Sequence, residues 1–141
     1  MADEIRAECL AKSASFSFET VMSHPSKVEV LREARARGFR AVLFFIATES
    51  PSLNVARVRQ RVALGGHDVP EDRIRARYVR TLALLPSAIE AADDAVLFDN
   101  SYGAPTIRPF FRRQGAMVTL NPPAPNWALP AVRPYLRLRS R

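Results

Sequence analysis

From Arg40 to Ala47 the chain reads Arg-Ala-Val-Leu-Phe-Phe-Ile-Ala, an unbroken apolar run after a single arginine. A strand with one wet face alternates apolar and polar residues. A short continuous run bounded by turn signals is the pattern of a parallel strand buried on both faces. Parallel strands need long, normally helical crossovers, so this run selects an α/β architecture. The flanking segments agree. Ser15 to Val21 alternates polar and aromatic residues and reads as a strand ending in polar groups. Pro25 then opens a helix over Ser26 to Arg37, with Ser26 and Glu29 spaced as a capping box and Gly38 at the C-terminal cap position. Strand, helix and strand make a βαβ unit.

The rest of the chain continues the alternation. Residues 2 to 12, with Ile5 and Cys9 four apart, predict a short amphipathic helix. Pro51 starts another that runs to about Leu64, with Leu53, Ala56 and Val62 inward and Arg57 and Arg61 on a second face. A third begins at Pro70, with Glu71 and Asp72 in its first turn and a core stripe of Ile74, Tyr78, Leu82, Leu85 and Ile89; Pro86 is placed to kink or split it. Ala95 to Phe98 is a further buried strand. Beyond Pro105 the pattern predicts a hairpin, Ile107 to Arg113 and Met117 to Leu120 around Gln114-Gly115. A proline cluster then precedes a short helix packed by Trp127, Leu129, Val132 and Leu136, with the basic tail in water.

At 141 residues the chain suits one compact domain. No apolar run approaches the roughly 18 residues of a membrane span, and no targeting segment is visible. Cys9 is the only cysteine, which excludes an intrachain disulfide and a thiolate metal site and makes a reducing cytoplasm the simplest compartment. The net charge of +7 suits phosphates, nucleotides or nucleic acid as partners, although only Lys12 and Lys27 are lysines and an arginine-rich codon bias explains the charge equally well.

Arginine placement is more specific. Arg57 and Arg61 are four apart, and Arg73, Arg77 and Arg80 follow at helical spacing, so each set shares a helix face. Between them lies Gly65-Gly66-His67-Asp68-Val69-Pro70, a glycine-hinged loop, and the whole reads as a phosphate-clamping lid. The same arginines also read as the solvated faces of two amphipathic helices. No G-x-x-x-x-G-K-[ST] loop occurs in the chain, so catalysis by these residues alone meets an obvious gap.

Phe18-Glu19-Thr20-Val21, the Val62 to Asp72 stretch with the following Arg77-Tyr78, and Phe98-Asp99-Asn100-Ser101 together resemble, in order and spacing, the zeta-toxin-like family of P-loop kinases over roughly residues 5 to 101. The resemblance implies a three-layer α/β fold with a parallel sheet of P-loop kinase type, incomplete at the N-terminus. It divides the chain into a truncated kinase-like domain, 1–101, and an extension, 102–141, carrying the hairpin and short helix. It also implies ATP with magnesium, and a small-molecule phosphate acceptor such as a UDP-amino sugar.

Phosphoryl transfer is mainly positioning and charge neutralisation, so Arg61 and Arg77, each able to grip phosphate with a bidentate fork, are the expected catalytic cations. By resemblance Glu19 and Thr20 belong to the active cleft, Glu19 holding magnesium through water or accepting a hydrogen bond from the substrate hydroxyl. Glu19 also reads as a simple helix cap. Ser23 and His67 are candidate substrate contacts, with His67 equally suited to fixing the glycine turn. Asp99 and Asn100 would lie beside the base, or form an ordinary turn with Ser101. Ala2-Asp3-Glu4-Ile5 resembles the stretch holding the family's catalytic aspartate, but too few residues separate it from Glu19, and Asp3 reads as solvated. Lys27 follows no glycine-rich anion nest and does not replace the missing loop.

In this resemblance the absent first strand lies between the Glu19 strand and the Arg40 to Ala47 strand. The expected remedies are direct closure, a strand borrowed from another copy in a homo-oligomer, or a separate P-loop polypeptide. An inactive nucleotide-binding remnant is the alternative to a kinase. A basic nucleic-acid-binding protein is a third reading, disfavoured by the lack of a recognisable motif or aromatic stacking platform.

Overall fold

The structure is a computed structural model and describes residues 2–136. Helix α1 (Ala2–Ala11) is followed by α2 (Ser26–Ala36), β1 (Val42–Ala47), α3 (Pro51–Ala63), α4 (Glu71–Ala91), β2 (Asp94–Asp99), β3 (Arg108–Gln114) and β4 (Met117–Leu120). A single 3-10 turn, Asn126–Ala128, leads into α5 (Leu129–Leu136). The basic tail falls outside the described residues.

The four strands form one sheet in the order β1-β2-β3-β4. Only β1 and β2 are parallel; β3 and β4 add antiparallel, so the sheet is mixed where an all-parallel one is expected. The hairpin is thus continuous with the α/β part. At the β2–β3 junction the register shifts between Leu97 and Phe98, with Pro109 opposite Phe98 and Phe111 opposite Leu97. Phe110 is the extra residue of a β-bulge, which lets the consecutive Phe110 and Phe111 both enter the core. Proline is tolerated at such a break because a bulge already interrupts the ladder.

The core lies on one face of the sheet. Leu43, Phe45 and Ala47 of β1 and Ala95 and Leu97 of β2 pack there against Leu85, Ala88 and Ile89 of α4 and Ala131 and Val132 of α5. Helices α2, α3 and α5 each pack on α4, making a single helical layer. Trp127 plugs one end, 6.0 Å from the Phe45 ring and 5.4 Å from Phe110 in an edge-on contact. Arg113 of β3 donates to the carbonyls of Ile89 and Ala92, capping the end of α4.

Several expectations need correction. β1 is not buried on both faces: Val42, Phe44 and Ile46 are 44%, 66% and 56% exposed. Ser15 to Val21 is not a strand, because no neighbouring strand offers it a ladder; it is held instead by Thr81, which donates to the Val21 carbonyl, and by Phe16 against Phe39. The Ser26–Glu29 capping box does not form. His24 Nδ1 accepts the Ser26 N–H at 3.2 Å, and Glu29 pairs with Arg32. In α3 the buried position is Val55, and Ala56 is exposed. α4 runs unbroken through Pro86.

Candidate functional site

A cleft of about 1380 Å³ opens between the extended segment Ser15–Met22 and strand β1. Its remaining wall comes from α2, through Lys27, Val30, Leu31 and Ala34, and from α3 and α4, with α3 following the carboxyl end of β1. That end of a parallel strand pair is where open α/β sheets bind ligands. Its local geometry follows from polar residues that punctuate the apolar run. Thr48, buried, donates to Asn54 Oδ1 at 2.8 Å, and Tyr78 of α4 donates to the Thr48 carbonyl at 2.9 Å. Burial, with the Glu49 carboxylate nearby, raises the Tyr78 pKa and keeps the phenol a donor. Both helices are thereby pinned to the strand end.

Arginines on these helices fall into distinct sets. Arg57 donates to the Asn100 carbonyl at 2.7 Å, tying α3 to the end of β2. Arg59 and Arg75 converge on Glu71, whose pKa is lowered chiefly by the Arg75 hydrogen bond. Arg61 and Arg77 line the cleft, and among the described residues neither has an ion-pair or hydrogen-bond partner. Arg73 and Arg80 do not line it. The turn after α3 orients Arg61: Gly65 adopts φ +90°, its N–H and that of Gly66 close on the Val62 and Arg61 carbonyls, and a Cβ at Gly66 would lie 2.7 Å from Arg61 Cγ. Gly66 is therefore a close-approach residue, whatever hinge the pair provides.

Across the cleft stand Glu19 and Thr20, both exposed; Thr20 Oγ1 accepts the Met22 N–H. Among the described residues Glu19 is the only carboxylate lining the cleft. Asn100 also lines it, and its Oδ1 is buried without a hydrogen-bond partner, a free acceptor in a position where an unmet polar group is costly. Asp99 turns the other way. Its Oδ1 accepts from the Ser101 backbone and hydroxyl, the latter at 2.6 Å, and from Trp127 Nε1 at 3.5 Å, so this carboxylate organises a turn. Ser23 and His67 lie outside the cleft lining. The structure thus brings Glu19, Thr20, Arg61, Arg77 and Asn100 to one cavity and leaves Ser23, His67 and Asp99 out of it. Sequence reasoning missed the Thr48–Asn54–Tyr78 pins; the threonine closing the apolar run was the available signal.

Asp3 pairs with Arg6, and Lys27 approaches it at 3.8 Å, yet its side chain is 84% exposed. No group of three or more His, Cys, Asp or Glu residues among the described residues is arranged to hold a metal. Magnesium commonly uses one or two carboxylates together with phosphate oxygens and water, and Glu19 alone meets that minimum. No helix among the described residues is long and apolar enough to cross a membrane.

The fold and cleft define an α/β protein with two unpaired arginines in a cleft beside its parallel strand pair. The zeta toxin family model matches residues 1–121, and the chain belongs to that family. The match runs through the β3–β4 hairpin, past the end of the recognisable motifs. An uncharacterized protein of Haemophilus influenzae is 33% identical over 63 residues, a stretch that covers 45% of this chain and 45% of that relative. No solved structure matches.

Proposed function

We propose that these residues form the arginine-clamp and acceptor side of an ATP-dependent phosphotransferase acting on a small hydroxyl-bearing molecule such as a UDP-amino sugar. The observation that carries the reading is the placement of two unpaired arginines, Arg61 and Arg77, in one cleft with Glu19 and Thr20. Magnesium ATP supplies the phosphoryl group when bound. Arg61 and Arg77 neutralise the phosphoryl oxygens as charge spreads over them, from helices anchored to the strand end. Glu19 accepts the hydrogen bond of the attacking hydroxyl or holds magnesium through water, and Thr20 helps seat the acceptor. Asn100 Oδ1 accepts an N–H from the base. The chain contains no glycine-rich anion nest, so the β- and γ-phosphates call for a loop of the G-x-x-x-x-G-K-[ST] type contributed from outside these 141 residues.

That missing loop also favours a second reading, a nucleotide-binding remnant without turnover. Titration with magnesium ATP, with and without a synthetic segment carrying the phosphate loop, separates the two. Turnover of a UDP-amino sugar only when the segment is present, lost in Arg77→Ala, is the expected result. Binding without turnover under both conditions selects the remnant.

A further inference from the structure

Helix α4 is anchored unevenly. Its buried residues, Leu85, Ala88, Ile89 and Ala91, all lie at or beyond Leu85, and no residue from Glu71 to Leu84 is buried. Arg77 therefore sits about 12 Å along the helix axis from the first side chain that the core encloses. The joint between the two halves is also short of a hydrogen bond, because Pro86 has no N–H to give to the Leu82 carbonyl. The half that carries Arg77 is thus an arm whose direction the core does not set.

A few polar contacts set it instead. Glu71 pairs with Arg59, and Arg75 donates to Ser52 Oγ at 3.2 Å, both partners lying on α3. Thr81 donates to the Val21 carbonyl in the extended segment. Among the described residues only Tyr78 joins the arm to the end of the sheet by a hydrogen bond, donating to the Thr48 carbonyl at 2.9 Å. That acceptor is firmly placed. Thr48 is buried; before it the Ala47 carbonyl accepts the Asn100 N–H at 2.8 Å, and after it the Glu49 N–H donates to Ser101 Oγ at 2.9 Å. Ser101 is in turn tied to Asp99. The backbone on both sides of Thr48 is clamped to the end of β2, which makes its carbonyl a fixed reference point.

We infer that Tyr78 is a positioning residue for Arg77: its phenol holds the arm of α4 against the end of β1 and so aims the neighbouring guanidinium into the cleft. Consecutive residues of a helix are about 100° apart around its axis, so the direction of one fixes the direction of the next. Tyr78 and Arg77 both line the cleft. A turn of the arm that broke the phenol's bond would carry the root of the Arg77 side chain with it, and among the described residues Arg77 has no partner of its own to bring it back. The inference rests on the reading of Arg77 as an anion-binding cation and adds the residue that sets its aim.

Tripolyphosphate binding by the full chain, measured in single and double variants below the lowest melting transition of the set, tests it. Tyr78→Phe keeps the ring and removes only the hydroxyl. The melting transition is expected to stay nearly in place while affinity falls about three- to ten-fold, the scale of one hydrogen bond. In an Arg77→Ala background the same change is expected to have no further effect; in an Arg61→Ala background it is expected to have its full effect. A loss that persists in Arg77→Ala overturns the inference, because the phenol would then meet the anion itself. A loss that vanishes in Arg61→Ala as well overturns it too, because Tyr78 would then shape the cleft as a whole. Unchanged affinity in Tyr78→Phe, with Arg77→Ala weakened, overturns the inference and leaves the arginine clamp standing. An Arg77→Ala chain that binds as tightly as the unmodified one removes the clamp and the inference together.

Discussion

Gly66 shows how one residue sets the direction of a functional cation. Its missing Cβ leaves room for Arg61, whose backbone oxygen would sit 2.9 Å from the added atom. Gly66→Ala should therefore push the end of α3 away from the loop and cost about 1–3 kcal/mol, as overpacking does. Urea denaturation reads the loss, and an unchanged midpoint would mean that the turn relaxes freely. Arg61 and Arg77 differ from Arg73 and Arg80 in lining the cleft. Arg77→Ala is expected to weaken tripolyphosphate binding about ten-fold or more, the scale of a charge-assisted hydrogen bond of 1.5–3 kcal/mol, with the melting transition nearly unmoved. Arg80→Ala should leave both binding and melting nearly unchanged. Equal losses in both variants would mean that the anion senses only net charge.

Helices α3 and α4 act as one unit through Glu71, which takes Arg59 from the first and Arg75 from its own turn. The lowered carboxyl pKa means that the folded state favours the ionised form, so the contribution is complete above the unfolded value and disappears as pH falls through the folded one. Protection of the Gly65–Pro70 loop amides is thus expected to fall as pH drops through that lowered carboxyl value, and Glu71→Gln should show the unprotected loop already at neutral pH. A loop indifferent to both would exclude the latch. Elements of this kind were largely legible in the sequence: proline starts, glycine stops and helical spacing located α2, α3 and α4, and turn residues located the hairpin. Arg61, Arg77, Glu19, Thr20 and Asn100 do share a cleft. What escaped was whatever depends on a distant partner. Alternation in Ser15 to Val21 implied a strand, but a strand exists only with a ladder. Of the two readings open for Asp99, base contact or turn with Ser101, its carboxylate makes the turn, and only the distant Trp127 contact had no local signal. Ser26 and Glu29 had the right spacing for a cap, and His24 took the N–H instead.

At the scale of the molecule, the core couples the α/β part to everything after Ser101. Phe110, Phe111, Ala128 and Val132 are buried to 1% exposure or less and pack with Leu85, Ile89 and Leu97. Trp127 touches Phe45 from one side and Phe110 from the other, and reaches Asp99 with its indole nitrogen. Without these residues the helical layer would lose its floor at β2, while the opposite face of β1 is already open. Trp127→Ala is therefore expected to cost about 3–5 kcal/mol, a large share of a stability of about 5–15 kcal/mol. A chain ending at residue 101 should fail to unfold cooperatively at all. Circular dichroism against urea measures both. If residues 1–101 unfolded in one transition at the midpoint of the full chain, the hairpin and α5 would be an appendage to an independent unit; a single transition present only in the longer chain means that the sheet needs β3 and β4 to hold β2, and with it Asn100 and the cleft, in place.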